Sequence, residues 1–173
     1  MGILSCGPMS GYDIKKEIEA SVNYFWHESY GQIYPILKRL VVEGLATKSI
    51  EEQVGKPDRN VYTLTDKGRE ELRRWLTEPA ENQVERIEIL LKLFFGAQIS
   101  VDDNMRHVKQ YRELQQQLVQ QYRTIEQELK GTYHDSPNYP YYLATLSYGL
   151  HSTQALINWC DETLAMLSKM ADP

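Results

Sequence analysis

The sequence predicts a mainly α-helical protein that contains one small β-hairpin. Most segments repeat apolar residues every three or four positions, which is the spacing of one helical face. Two short segments, 45–50 and 61–64, carry β-branched and alternating residues instead, and they flank a polar loop that contains Gly55 and Pro57. We therefore expect helices and a hairpin in the first half of the chain, and helices throughout the second half.

The first predicted helix begins after Ser10. Ser10 and Asp13 have the spacing of a capping box, in which each side chain bonds the backbone amide of the other residue. Ile14, Ile18 and Val22 recur on one face of this helix. The start of the helix thus has a local cause in the sequence.

The second predicted helix runs from Ser29 to Gly44. Ser29 can cap the free amides of the first turn, and Gly44 can take the left-handed conformation that ends a helix. Pro35 removes a backbone donor, so we expect a short opening turn and then the main helix. The apolar face of this helix consists of Ile33, Ile36, Leu37, Leu40 and Val41.

The hairpin is followed by a third predicted helix, from Asp66 to Leu76. Thr65 can cap its first turn, and Pro79 lies just beyond its end. Its apolar residues are predicted to face inward, and they are Leu72, Trp75 and Leu76.

Two helices, a hairpin and a helix occur in the order of a winged helix-turn-helix, which favours DNA binding. On the second helix, Gln32 suits base edges, whereas Lys38 and Arg39 suit phosphate or guanine. The alternative is a solvated helix face and, for Tyr34 with Pro35, a packing role. The predicted contact residues are Ser29, Tyr30, Gln32, Tyr34, Lys38 and Arg39 on the helix, and Lys56 and Arg59 on the wing.

Three segments together resemble the PadR family of bacterial transcriptional regulators. They are GPMSGYDI (7–14), SYGQIYPILKRLVVEGL (29–45) and YTLTDKGREELRRWL (62–76). The resemblance implies a winged-helix fold, and the helical second half is similar to the dimerisation region of larger PadR and AphA-like members. It also implies that some relatives respond to phenolic or other small aromatic compounds. Members usually have several more residues before this point, so we expect the start at Met1 to leave the first family helix incomplete or to be placed late.

The net charge of −5 argues against DNA binding, because phosphate contacts need Lys and Arg. Residues 1–79 contain eleven basic and twelve acidic residues, whereas residues 80–173 contain eight and twelve. The acidic excess is therefore mostly in the second half. The stretch 29–40 contains two basic residues and no acidic one.

We place the domain boundary between a winged helix-turn-helix domain, 1–79, and a helical dimerisation domain, 80–173. The second domain is predicted to contain helices over 85–99, 101–129 and the last segment, with a break at 131–140. The last helix carries a heptad series that predicts pairing between two copies, although an internal hairpin could bury part of it. The series is Leu143, Leu146, Leu150, Thr153, Ile157, Cys160, Leu164 and Leu167.

Other classes of function have little support. The four histidines are scattered and there is no phosphate-binding glycine loop, so neither an enzyme, a metal nor a cofactor is predicted. No run is long and apolar enough for a membrane span, and the two distant cysteines suggest reduced thiols in a cytoplasmic protein. An aromatic cluster could bind a small planar effector or could serve packing, and it comprises Tyr133, Tyr139, Tyr141, Tyr142, Tyr148 and Trp159.

The sequence thus predicts a homodimeric transcriptional regulator, a repressor that reads an inverted repeat in double-stranded DNA. Two alternatives remain open. One is a sensor whose main role is to bind a small aromatic ligand. The other is a helical protein-interaction module without specific DNA binding.

Overall fold

The computed structural model describes residues 1–23, 25, 26, 28–52, 58–81 and 86–171. The chain forms two compact units, Met1–Asn82 and Gln83–Pro173. After a 3₁₀ turn at Ile3–Cys6, the first unit contains β1 (Met9–Ser10), α1 (Gly11–Ser21), α2 (Tyr30–Val42), β2 (Ala46–Glu51), β3 (Arg59–Leu64) and α3 (Asp66–Thr77).

The start of α1 is the predicted capping box. The Asp13 amide donates to Ser10 Oγ at 3.2 Å, and the Ser10 amide donates to Asp13 Oδ2 at 3.0 Å. Ile14 and Ile18 are buried on the inner face, and Val22 packs against the same core.

The second helix, α2, starts after Ser29 as predicted, but it is one continuous helix that includes Pro35. The expectation of a separate opening turn was therefore wrong. The amide that Pro35 lacks would have bonded the carbonyl of Gly31, an exposed residue near the helix start, where water can take the place of that donor. Gly44 has a φ of 71°, so it ends the helix in the predicted left-handed conformation.

The sheet has three antiparallel strands in the order β1-β3-β2. The hairpin was predicted, with strands slightly displaced at 45–50 and 61–64, but β1 was missed. A two-residue strand has too few positions to show alternation, and it forms because Met9 and Ser10 pair with Tyr62 and Val61 across the sheet. In the hairpin, Ala46 pairs with Leu64 and Glu51 with Arg59.

One core joins α1, α2 and the sheet of the first unit. It forms because these elements direct apolar side chains to the same side, which leaves the opposite faces of the helices to solvent. Its buried residues are Leu4, Ile14, Ile18, Ile33, Leu37, Leu40, Leu45, Ala46, Tyr62 and Leu64.

In α3, Thr65 caps the helix as predicted, through a bond of 3.0 Å from the Gly68 amide. The expectation that three apolar residues face inward was wrong, because Leu72 is only half-buried while Trp75 and Leu76 are 55% and 66% exposed. Only Gly68 of this helix is buried, so the first turn lies against the core and the later turns do not.

The second unit contains α4 (Glu88–Phe94), a 3₁₀ turn (Gly96–Gln98), α5 (Val101–Thr132) and α6 (Tyr139–Ala171). The first of these helices is shorter than the predicted 85–99, and Glu85 lies outside the described residues. Buried Asn104 holds the turn that follows α4. Its Nδ2 donates to the carbonyls of Gly96 and Ser100 at 2.8 and 3.0 Å, and these bonds satisfy carbonyls in the break between the helices.

The long helices α5 and α6 form an antiparallel hairpin around a short connection at 133–138. The predicted break at 131–140 was too wide. Gly131 lies in the last turn of α5, and Pro140 lies in the first turn of α6, where a missing amide costs nothing. Among the residues that the structure describes, no helix is long and apolar enough to cross a membrane.

The heptad series of α6 lies inside this hairpin. Leu143, Leu150 and Leu164 are half-buried, and the other members are buried within the single chain. Close packing extends to Gly149, where an added Cβ would lie 2.9 Å from the Tyr122 ring. Internal hairpin packing thus accounts for the periodicity of this helix, and pairing between copies stays a prediction. The buried members are Leu146, Thr153, Ile157, Cys160 and Leu167.

Candidate nucleic-acid interface

The outer face of α2 is exposed and carries no carboxylate between positions 29 and 40. Within the part of the chain that the structure describes, no ion pair neutralises Lys38. Arg39 lies next, and its Nε is 3.8 Å from Glu43 Oε1, a loose pair between largely exposed groups. Such a pair is worth little in water, so both cations are available to an anionic partner.

Gln32 lies on this face, but its side chain takes part in the helix cap. Its Oε1 accepts hydrogen bonds from the amide and the hydroxyl of Ser29, each at 2.9 Å. The oxygen of Gln32 therefore already has two donors. Any contact of Gln32 with a base that keeps this cap must use its NH₂ group, which donates and cannot accept.

Tyr30 and Tyr34 stack on each other, with ring centroids 6.4 Å apart and an interplanar angle of 21°. Tyr34 also lies over Gly11, at the start of α1. A Cβ added at Gly11 would be 2.6 Å from Tyr34 Cε1. Tyr34 therefore packs against α1 while half of its surface remains exposed, so the packing role that the sequence left open is real.

Tyr62 of β3 is buried close to Tyr34. Burial raises the pKa of the Tyr62 hydroxyl, and the nearby Tyr34 adds to the effect. Tyr62 thus stays neutral behind the exposed tyrosine.

Two residues of the wing are predicted to contact DNA. Lys56 lies outside the described residues. Arg59 begins β3, where its Nε is 2.5 Å from Glu51 Oε2 and its Nη1 is 3.3 Å from Asp13 Oδ2. The predicted cation at the wing is therefore already paired with two carboxylates.

Sequence reasoning missed two supporting residues, Gly11 and Asp13. Gly11 is not among the predicted contact residues, yet its missing side chain makes room for Tyr34. Asp13 was read only as a cap, yet it also bonds Arg59 across 46 positions of the chain. A local pattern contains no signal for either contact, because both depend on how distant segments pack.

The predicted aromatic cluster does not converge on one cavity. Tyr133 and Tyr142 make an edge-to-face contact at 5.9 Å, whereas Tyr141 and Tyr148 are largely exposed. A separate apolar recess of the second unit includes Trp159, whose ring meets Tyr111 edge-to-face at 6.3 Å. The residues that line this recess are Ile87, Ile89, Leu90, Tyr111, Leu156 and Trp159.

The fold and the exposed α2 face define a class, the winged-helix transcriptional regulators. Comparisons with known proteins agree. The family described as transcriptional regulator PadR-like matches residues 1–74, and the family described as virulence activator alpha C-term matches residues 85–168. The negative transcriptional regulator PadR of Bacillus subtilis is 31% identical over 182 residues, which span 98% of this chain and 95% of that protein.

Solved structures give the same result. B. subtilis PadR in complex with operator DNA has a TM-score of 0.84 at 28% identity, over 96% of this chain and 93% of that one. The Vibrio cholerae virulence activator AphA has a TM-score of 0.76 at 31% identity, over 98% and 95% of the two chains. The chain belongs to the PadR family of DNA-binding transcriptional regulators.

Proposed function

We propose that the protein is a homodimeric repressor that binds an inverted repeat and acts in the cytoplasm, where its DNA is. The observation that carries this proposal is the acid-free, exposed face of α2, where Lys38 has no ion pair with any residue that the structure describes. One α2 helix from each subunit would enter successive major grooves, and the wings would touch the flanking backbone. The negative role follows the name of the B. subtilis relative.

The proposed contact residues divide by chemistry. Lys38 and Arg39 supply charge to phosphates or guanine, and the hydroxyls of Tyr30 and Tyr34 offer neutral hydrogen bonds to the phosphate backbone. The Ser29 hydroxyl can donate to a phosphate only by giving up its bond to Gln32. Gln32 contributes through its NH₂ group. These residues hold few positive charges, so we expect useful affinity only when two copies bind together.

Pairing of two copies has support in the apolar surface of the second unit. Leu91 and Phe94 on α4 are 62% and 82% exposed, and Phe95 follows directly. Adjacent exposed residues of this size form the kind of patch that marks an interaction surface. We propose that this patch packs against a second copy, and that the half-buried Leu143, Leu150 and Leu164 of α6 also contribute to pairing.

The test begins with selection of genomic DNA fragments that the purified full chain retains. Anisotropy titrations then compare a selected fragment with a shuffled duplex of equal length and composition. We expect an inverted repeat whose half-sites lie about one helical turn apart, roughly 34 Å. Equal affinity for both duplexes would contradict specific DNA binding and would favour the protein-interaction alternative.

The sign of regulation needs a separate measurement. A promoter that contains the selected fragment is fused to a reporter, with and without expression of the protein. We expect reporter output to fall when the protein is present. A rise would show an activator and leave the DNA-binding proposal intact.

A second role, effector binding, is favoured by the apolar recess beside Trp159. B. subtilis PadR has been solved in complex with p-coumaric acid. We propose that a small aromatic compound binds this recess and lowers operator affinity. Linkage makes this effect reciprocal. The factor by which the compound lowers the affinity for operator must equal the factor by which operator lowers the affinity for the compound. Calorimetric titration of phenolic acids, with and without operator, tests this, and no binding by any compound would contradict it.

A further inference from the structure

Arg59 joins three elements of the first unit. Its Nε donates to Glu51 Oε2 at 2.5 Å, and its Nη1 donates to Asp13 Oδ2 at 3.3 Å. Glu51 is the cross-strand neighbour of Arg59 at the end of β2, whereas Asp13 lies in the first turn of α1. One guanidinium thus connects both strands of the wing to the helix that precedes α2.

The Asp13 end of this connection is firmly held. Asp13 Oδ2 also accepts from the Ser10 amide at 3.0 Å and from the Ser10 hydroxyl at 2.7 Å. Ser10 in turn pairs with Val61, two residues beyond Arg59 in the same strand. The carboxylate that Arg59 meets on α1 is therefore fixed by the sheet and by the helix cap.

The charge of this cluster does not favour a phosphate. Two carboxylates surround one guanidinium, so the group carries a net negative charge. The hydrogen bond that Arg59 donates to Glu51 is the main reason that the pKa of Arg59 is raised, and the charges of Glu51 and Asp13 add to it. A DNA phosphate that approached the remaining N–H groups of Arg59 would be repelled by these two carboxylates. Among the described residues, Lys38 has no carboxylate paired with it.

We propose that Arg59 is a positioning residue that sets the wing against α1, and that it does not itself bind a phosphate. The proposal rests on the proposed DNA contact by α2. A hairpin that is held in its binding orientation before the encounter loses less conformational freedom when DNA binds. Loss of Arg59 should therefore weaken binding without removing a counterion-releasing contact.

The experiment measures affinity for a short mixed-sequence duplex as a function of salt. The full chain is compared with four variants: Arg59→Gln, Arg59→Lys, Glu51→Gln and Lys38→Gln. Lysine keeps the charge for a phosphate, but its single ammonium lacks the planar fork that joins two carboxylates. Glu51→Gln removes a negative charge and so should tighten DNA binding if only net charge matters.

We expect the Arg59→Gln, Arg59→Lys and Glu51→Gln variants to bind about two- to fivefold more weakly, the range that a partly exposed ion pair is worth. Their slope of log affinity against log salt should equal that of the wild type. Lys38→Gln, in contrast, should reduce the slope by about 0.9 for each lost phosphate contact. Hydrogen exchange should accelerate at the amides of β1 and β3 in the Arg59 variants, with only a small decrease in the urea midpoint of unfolding.

Wild-type affinity in Arg59→Lys together with a reduced slope in Arg59→Gln would overturn the positioning role, as would tighter binding by Glu51→Gln. An unchanged slope in Lys38→Gln would instead count against the proposed α2 contact face. The two failures are thus distinguishable in one set of titrations.

Discussion

Lys38 gives the most direct prediction at the scale of single residues, because it is an exposed cation on a helix face without carboxylates. Replacement of Lys38 and Arg39 with Ala should weaken binding to every DNA sequence and flatten the salt dependence. Each lost phosphate contact removes counterion release and about 0.9 from the slope. Anisotropy titrations at several salt concentrations measure both quantities.

The matched control is Lys109→Ala, which removes an exposed lysine from α5 in the other unit. It should leave affinity and slope close to those of the wild type. If the double variant behaved like this control while remaining folded, the contact face would be misplaced.

Replacement of two different glycines with Ala should change the free energy of unfolding in opposite directions. A Cβ at Gly68 would lie 2.1 Å from the carbonyl oxygen of Leu45, and that carbonyl is held by a bond from the Thr65 amide. Gly68→Ala should therefore lower the free energy of unfolding by about 3 kcal/mol or more, since backbone must move. Gly131, in the last turn of α5, has open space around its Cβ position, and its change to Ala should add about 0.5 kcal/mol. Urea unfolding measures both changes, and equal effects would contradict the close packing at Gly68.

At the scale of elements, the start of α1 should contribute stability that depends on pH. Hydrogen bonds from the Ser10 side chain and backbone lower the pKa of Asp13 below its ordinary value of 3.8. Because the folded state depresses this pKa, the contribution is fully present above about pH 4 to 5 and is lost as the pH falls through the folded value. Asp13→Asn should thus be less stable than the wild type at pH 7, and the difference should shrink in acid.

Urea unfolding at a series of pH values from neutral into acid tests this, because a protonated Asp13 resembles Asn. Asp58→Asn is the control, since Asp58 is an exposed carboxylate just before β3. A stability difference for Asp13→Asn that did not change with pH would rule out the carboxylate as its cause.

The sequence predicted the first residues of helices better than their last residues. Ser10, Ser29 and Thr65 each begin a helix as expected, because a cap depends on residues only three positions apart. The ends of helices were predicted less well. The turn that follows α4 is held by Asn104, which lies in a different helix, and β1 exists only because β3 lies beside it.

At the scale of the whole molecule, variants of the second unit should separate folding from assembly. Ile157 is buried inside the α5–α6 hairpin, so Ile157→Glu should unfold this unit by burying an unpaired charge. Leu91 and Phe94 are exposed in the single chain. The double change to Glu should therefore leave the fold intact, yield monomers and remove specific DNA binding.

Sedimentation and circular dichroism together measure both outcomes. The proposed interface would be wrong if the Leu91 and Phe94 variant remained a dimer of normal stability. Monomers that kept full operator affinity would instead contradict the need for two copies on the DNA.

By itself, the sequence determined the fold class, the capped helix starts, the hairpin and the acid-free face of α2, because these depend on residue spacing along one segment. Only the tertiary structure decided that the α6 heptads lie within a hairpin, that Gln32 caps its own helix with its oxygen, and that Arg59 meets Asp13. A periodic apolar face shows that a helix must be covered, but it does not show which helix or which second copy covers it. Likewise, a charged side chain in a sequence does not reveal which distant carboxylate packing will bring to it.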